Sequence, residues 1–258
     1  MKKRTIILLI FIVIIFLLCL FIALIPTRVA VLGYHSFYKD EVESKSTMTA
    51  NIKDFEKQMK WLYESGYKTL SLDEFYQFME GDKLFPKKSV LLTFDDGYLS
   101  NYMYVVDVLK KYNFKGTIFI IGGYTSSSDG EGNNNSYMSL EQIKSIRKDY
   151  SNIEFASHTY NMHDMDINSK TKEVVEEDIK NMNKVIKTKY VAYPYGLYND
   201  SMKEAYKDNG YKLAFGFGMN KNDFRKASNK DDKYNVPRLC IDGNMSLIKF
   251  KIRLMLPF

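Results

Sequence analysis

Ser89-Val90-Leu91-Leu92-Thr93-Phe94-Asp95-Asp96-Gly97 is the stretch on which the fold turns. From Ser89 to Phe94 the side chains are apolar or β-favouring and show no alternation. That describes a strand buried on both faces, as in a parallel sheet. It ends in two carboxylates and a glycine, a polar turn.

Outward from this stretch the pattern repeats. Val29–Tyr34, Thr117–Ile121, Ile153–Ser157, Val191–Tyr193 and Leu213–Phe217 read as further buried strands. Between them, apolar residues at helical spacing predict helices. Phe55, Met59, Leu62 and Tyr63 mark one that stops at Gly66, and Leu72–Met79 is another. Helices also follow at about Leu99–Tyr112, Lys170–Thr188, Ser201–Asn209 and Ser246–Leu254. Ser139 with Gln142 three residues on predicts a capping box opening a helix to about Tyr150. Residues 39–51 and 125–136 read as loops, the second (TSSSDGEGNNNS) mobile and without an apolar side chain. Strands alternating with helices over some 230 residues predict a parallel, barrel-like α/β domain, with its chemistry at the C-terminal strand ends. There is no repeat and no internal linker.

Composition narrows the function. Two cysteines in 258 residues can make neither a disulfide framework nor a four-thiolate zinc site. Half of the +6 net charge comes from Lys2, Lys3 and Arg4, leaving a mild surplus that excludes a nucleic-acid footprint.

That basic tip precedes an unbroken apolar run from Ile6 to Ile25. At about 1.5 Å per residue the run spans roughly 30 Å, the thickness of a bilayer core. Residues 1–26 therefore read as a cytoplasmic tip and single transmembrane anchor, with residues 27–258 outside the cell. A cleaved signal is the rival and would release the domain, but its apolar region is typically about 7–15 residues. Cys19 then lies in lipid, and Cys240 reads as a small buried hydrophobe.

The chemistry-bearing residues fall just after the strands. His35 follows the first; His158 and His163 follow Ile153–Ser157. Residues five apart on a helix are separated by about 140° net, and on a strand they face opposite sides. His158 and His163 meet at one point only if Ser157–His163 is a loop. Otherwise they are unrelated surface or packing residues. Asp95-Asp96-Gly97 is commonly only a turn. At an active rim, however, one carboxylate can bind a metal while its neighbour handles a proton. With both histidines this makes a two-His, one-Asp site with open positions.

These residues resemble the polysaccharide deacetylase (carbohydrate esterase) family over most of residues 29–254. Thr93-Phe94-Asp95-Asp96-Gly97 matches its first motif, Ser157–His163 its second, and Ala192-Tyr193-Pro194-Tyr195-Gly196 its third. The histidine spacing and the early Tyr34-His35 are most similar to the branch that deacetylates biofilm poly-N-acetylglucosamine. The resemblance implies a distorted, circularly permuted (β/α) barrel. It implies that Asp96, His158 and His163 hold a divalent metal, zinc first, and that Asp95 is the general base. His35 would be the general acid, its charged form favoured by nearby carboxylates, and the Tyr195 backbone N–H an oxyanion donor. Relatives often pair the base with an arginine. Here Ala192-Tyr193 stands where many have that residue, and Arg238 is either its replacement or an exposed strand-end side chain. Tyr98, Tyr160 and Tyr193 are candidates to meet sugar rings, with packing as the alternative.

The expected partners are an extracellular N-acetylglucosamine polymer, the membrane and a polysaccharide synthase, with no nucleic acid. Peptidoglycan N-acetylglucosamine is the second substrate reading, and a non-catalytic glycan-binding relative is the reading of another class. An iron oxygenase would usually place its Asp two residues after the first His, whereas Asp96 lies 62 positions before His158. A glycosidase would need separated carboxylates.

Overall fold

β5 (Ser89–Phe94) is buried along its whole length. In the computed structural model, which describes residues 7–8, 10–16, 28–39, 47–82, 85, 88–127, 137–217 and 225–256, it runs through the centre of the molecule. On one side it pairs in parallel with β1 (Arg28–Tyr34), from Ala30↔Val90 to Tyr34↔Phe94. On the other it pairs with β4 (Lys68–Thr69) and β6 (Gly116–Ile120). The sheet continues through β7 (Ile153–Ser157), β8 (Tyr190–Ala192) and β9 (Leu213–Phe215), all parallel. A short β10 (Ala227–Ser228) adds to β1 antiparallel, an exception to the all-parallel expectation.

The far edges of this curved sheet are brought together by one segment. Val236 bridges Phe215 on β9, and three residues later β11 (Leu239–Cys240) begins and pairs with Leu32 and Gly33 on β1. The domain is thus an α/β half-barrel whose open seam is spanned by residues 236–240.

Strand alternation sorts the core into two layers. Leu32, Leu92, Phe94, Ile118 and Ile120 face outward, under the helices Ile52–Glu64, Val106–Lys111 and Leu247–Met255. Val31, Leu91, Phe119, Ala192 and Phe215 face inward, where Phe75 and Phe78 of the helix Leu72–Glu80 pack against them. Burying each phenylalanine contributes about 1.5–3 kcal/mol. Trp61 is half-buried against Tyr67 and Phe250. Cys240 is a free thiol whose pKa is pushed up to about 11 by burial, in keeping with an inert side chain.

Local signals hold where they are mechanical. Ser139 and Gln142 form the expected capping box, and Ser71 with Glu74 forms another. The helix expected at Leu99–Tyr112 begins instead with a π-helical turn, Asn101–Val105. The expected loop 39–51 ends in β3 (Thr49–Asn51), which pairs with β2 (Ser36–Tyr38). Of the loop expected at 125–136, residues 125–127 close a short helix, Gly122–Ser127, and 128–136 lie outside the described residues. The expected anchor Ile6–Ile25, including Cys19, lies largely outside them as well. Among the described residues no helix is long and apolar enough to cross a membrane.

Candidate active site

The C-terminal ends of β1, β5 and β7 bring His35, the Asp95-Asp96 pair and the histidine loop to one place. Backbone geometry at the turns is unusual there. Four non-glycine residues among those described have positive φ, and three belong to this site: Asp96 (70°), Thr159 (69°) and Tyr195 (57°). For β-branched Thr159 this is a genuine outlier, and such conformations cost about 1–3 kcal/mol each. Here they let consecutive side chains diverge.

Asp95 and Asp96 diverge completely. Asp95 is buried at 2% exposure and Arg238 at 0%. The guanidinium donates to both carboxylate oxygens, at 2.7 and 2.8 Å. Its Nε donates to the Gly216 carbonyl at 2.7 Å, and the aromatic faces of Phe217 and Phe119 flank it. Arg238 is therefore no exposed strand-end residue; it tethers Asp95. Burial alone would raise the Asp95 pKa, but the Arg238 charge, the nearby His158 and the Arg238 hydrogen bonds together outweigh it and hold the carboxyl below its ordinary value. The tether arrives on the seam segment, far in sequence from the third motif.

Asp96 faces the other way. Its Oδ1 lies 3.2 Å from His158 Nε2 and 3.1 Å from His163 Nε2. His158 Nδ1 is 2.9 Å from the Ala192 carbonyl. A carbonyl only accepts, so Nδ1 carries the proton and, in the neutral ring, Nε2 presents a lone pair toward Asp96. Oδ1 is buried and has no hydrogen-bond donor. Ligand atoms of the three residues all lie within 4.8 Å of one another. An orphaned carboxylate oxygen facing two imidazole nitrogens is a donor set that fits a divalent cation such as zinc. Without the ion, burial lowers the His158 pKa, but Asp96 and Asp95 outweigh it and raise the value, so protons compete for this position. The Asp96 carboxyl is held well below the ordinary range: burial opposes this, and the two histidines override it.

The loop between the histidines is held by a residue that sequence reasoning missed. Asp178, on the helix Lys172–Val185, accepts from the backbone N–H groups of Tyr160 at 2.7 Å and Asn161 at 2.8 Å. It is a buried carboxylate on a face otherwise made of Val175, Ile179 and Met182. That lone acid on an apolar face is the signal that could have found it.

His35 sits beside the pair, its Nε2 4.0 Å from Asp95 Oδ2 and its ring edge-on to Phe217 at 5.0 Å. The expectation that carboxylates favour its charged form is corrected here. Burial dominates, and although Asp95 and Asp96 oppose it, the His35 pKa is lowered.

The tyrosines divide. The Tyr195 ring is 40% exposed and leans on His163 at 4.8 Å. Tyr98 stacks on Tyr137 at 5.3 Å, and Tyr124 packs on Tyr137 at 4.7 Å. Burial and the nearby Asp96 charge push the Tyr137 pKa up to about 12 and raise that of Tyr98 further. Tyr124 and Tyr137 were not anticipated; they flank the loop expected to be featureless. Tyr193, by contrast, is fully buried, its hydroxyl donating to the Tyr234 carbonyl, and offers no face to a sugar. Tyr160 packs against the outer core beside Gly122.

Comparison with known proteins identifies the family and the fold. The polysaccharide deacetylase family pattern matches residues 82–214. The poly-beta-1,6-N-acetyl-D-glucosamine N-deacetylase of Staphylococcus aureus strain MRSA252 is 34% identical over 220 residues, 81% of this chain and 72% of that protein. YxkH of Bacillus subtilis is 33% identical over 194 residues, 73% of this chain but only 64% of that protein. Among solved structures, the deacetylase PplD of Streptococcus pyogenes, in complex with acetate, superposes with a TM-score of 0.76 at 26% identity, covering 89% of this chain and 99% of that one. IcaB from Ammonifex degensii gives 0.72 at 25% identity, over 89% and 98%. Shared motifs, shared fold and this identity over most of its length lead to one conclusion: the chain belongs to the polysaccharide deacetylase family.

Proposed function

We propose that this chain is a metal-dependent hydrolase removing N-acetyl groups from an extracellular amino-sugar polymer, poly-β-1,6-N-acetyl-D-glucosamine first, and that residues 1–26 anchor it in the cell membrane. The observation that carries the chemistry is the division of labour between adjacent carboxylates. Asp95 is pinned by Arg238 while Asp96 faces His158 and His163. Asp96, His158 and His163 would hold the cation, which would supply Lewis acidity toward the acetamide carbonyl and the attacking water.

The rest is done by the chain's own groups. Asp95, kept ionised by Arg238, takes the proton of the attacking water. The Tyr195 backbone N–H, on a residue with φ of 57°, donates to the developing oxyanion. His35 delivers a proton to the departing nitrogen as the C–N bond breaks, leaving acetate and a free amine. Its lowered pKa makes the protonated ring a stronger acid but a less populated one, so this step weakens as pH rises. Tyr98, Tyr137 and Tyr195 border the site where sugar rings would lie. The position of His35 just after the first strand rather than after His163 supports a circular permutation of the barrel.

The staphylococcal relative supports the choice of polymer. The test is acetate release from N-acetylglucosamine oligomers of β-1,6 and β-1,4 linkage, with and without added zinc. Zinc-dependent release favouring β-1,6 is expected. A β-1,4 preference would move the substrate to peptidoglycan, and no acetate from either linkage in the metal-loaded protein would contradict the activity itself.

A further inference from the structure

The strands of a parallel sheet all begin at one end, and in this domain that end is entered by cations. Arg28 opens β1 and Lys68 opens β4; Lys88, Lys115, Lys189 and Lys212 immediately precede β5, β6, β9's neighbour β8, and β9. Two of the six are neutralised locally: Lys115 by Glu74 at 2.8 Å and Lys212 by Asp73 at 3.0 Å. Arg28, Lys68, Lys88 and Lys189 have no carboxylate partner among the described residues. Lys88 donates to the Ser65 carbonyl, and Lys189 donates to the Asn209 carbonyl and lies over the Tyr211 ring at 5.9 Å. Tyr63, 59% exposed, adds an aromatic ring at the C-terminal turn of the helix Ile52–Glu64. The opposite, catalytic end carries Asp95 and Asp96, with Asp164 and Asp166 following the histidine loop. Only Pro26 and Thr27 separate the apolar run from Arg28, so the chain enters the domain at its cationic end.

We propose that this cationic end is a docking surface for an anionic lipid bilayer, which turns the catalytic end toward the polymer. A two-residue attachment keeps this end of the domain close to the lipid headgroups, whose attraction for cations reaches about a Debye length, roughly 8–10 Å. Tyrosine suits the same interface, with an apolar ring and a polar tip. The inference rests on the membrane anchoring proposed above.

The test uses the full chain in vesicles of phosphatidylcholine alone or with a third phosphatidylglycerol, probed by a lysine-reactive reagent and peptide mass spectrometry. Lys68, Lys88 and Lys189 should label at least threefold more slowly on the anionic vesicles, and 0.5 M salt should remove the difference. Lys53 and Lys249, exposed at the starts of helices at the other end, should label equally on both. Lys68→Glu combined with Lys189→Glu should abolish the protection without changing vesicle association. Equal labelling of the three lysines in protein that resists carbonate extraction overturns the docking and leaves the anchor standing. Carbonate extraction from both vesicle types overturns the anchor, and the docking with it.

Discussion

Arg238 holds the residue on which the chemistry depends, and its cost of removal is predictable. An arginine at 0% exposure facing a carboxylate at 2% is a buried pair, and deleting one partner strands the other charge. Such losses run to about 3–5 kcal/mol. Arg238→Ala should therefore lower unfolding stability by about that amount in denaturant titration. Asp95→Asn with Arg238→Met should recover part of the loss, because no charge is left unpaired. Asp178 acts at one remove, through the loop it clamps. Asp178→Asn keeps the shape but cannot accept from two N–H groups with two carboxylate oxygens. It should weaken zinc binding about tenfold, within the range seen for outer-sphere partners of metal ligands. Calorimetric titration with zinc would register this. Unchanged affinity would make Asp178 a purely structural residue.

At the scale of elements, the strands and their polar ends were legible because burial on both faces leaves an unbroken apolar run, as from Ser89 to Phe94. The histidine spacing left a shared loop and two unrelated residues both open, and the match of Ser157–His163 to the family's second motif favoured the loop. Illegible were the elements whose partners are remote. β11 is two residues long and gains its meaning by pairing with β1, some 200 positions earlier. Arg238 could not be chosen over an exposed side chain until that seam was known. The direction of the His35 shift was misjudged because sequence supplies the charges but not the burial. The turn after β8 offers a prediction at this scale. Gly196 has φ of 69°, and a Cβ there would meet the Phe217 backbone at 2.3 Å from oxygen and 2.4 Å from nitrogen. Gly66 has φ of 73° with nothing within 4 Å. Gly66→Ala should cost only the left-handed strain, roughly 1–2 kcal/mol. Gly196→Ala should cost clearly more, since backbone must also move, and should displace Tyr195 and reduce turnover.

For the whole molecule, stability and metal are coupled through pH. The His158 pKa is raised in the metal-free fold. Its contribution to stability is thus fully present below the unfolded value of about 6.5. It is lost as pH rises through the raised folded value. Zinc needs the neutral ring, so its stabilising effect should grow over that same window. At a hundredfold excess over its Kd the increment should approach about 2.7 kcal/mol, visible as a chelator-sensitive rise in Tm at pH 8 that shrinks toward pH 6. The molecule also has a direction: cations at the strand starts, carboxylates and histidines at the strand ends. At the strand ends two adjacent aspartates do different work. The most direct measurement is zinc stoichiometry and acetate release on Asp95→Asn alongside the parent protein. One zinc per chain with acetate release lost by at least a hundredfold is the predicted result. Loss of zinc from Asp95→Asn, or near-parental acetate release, would contradict it.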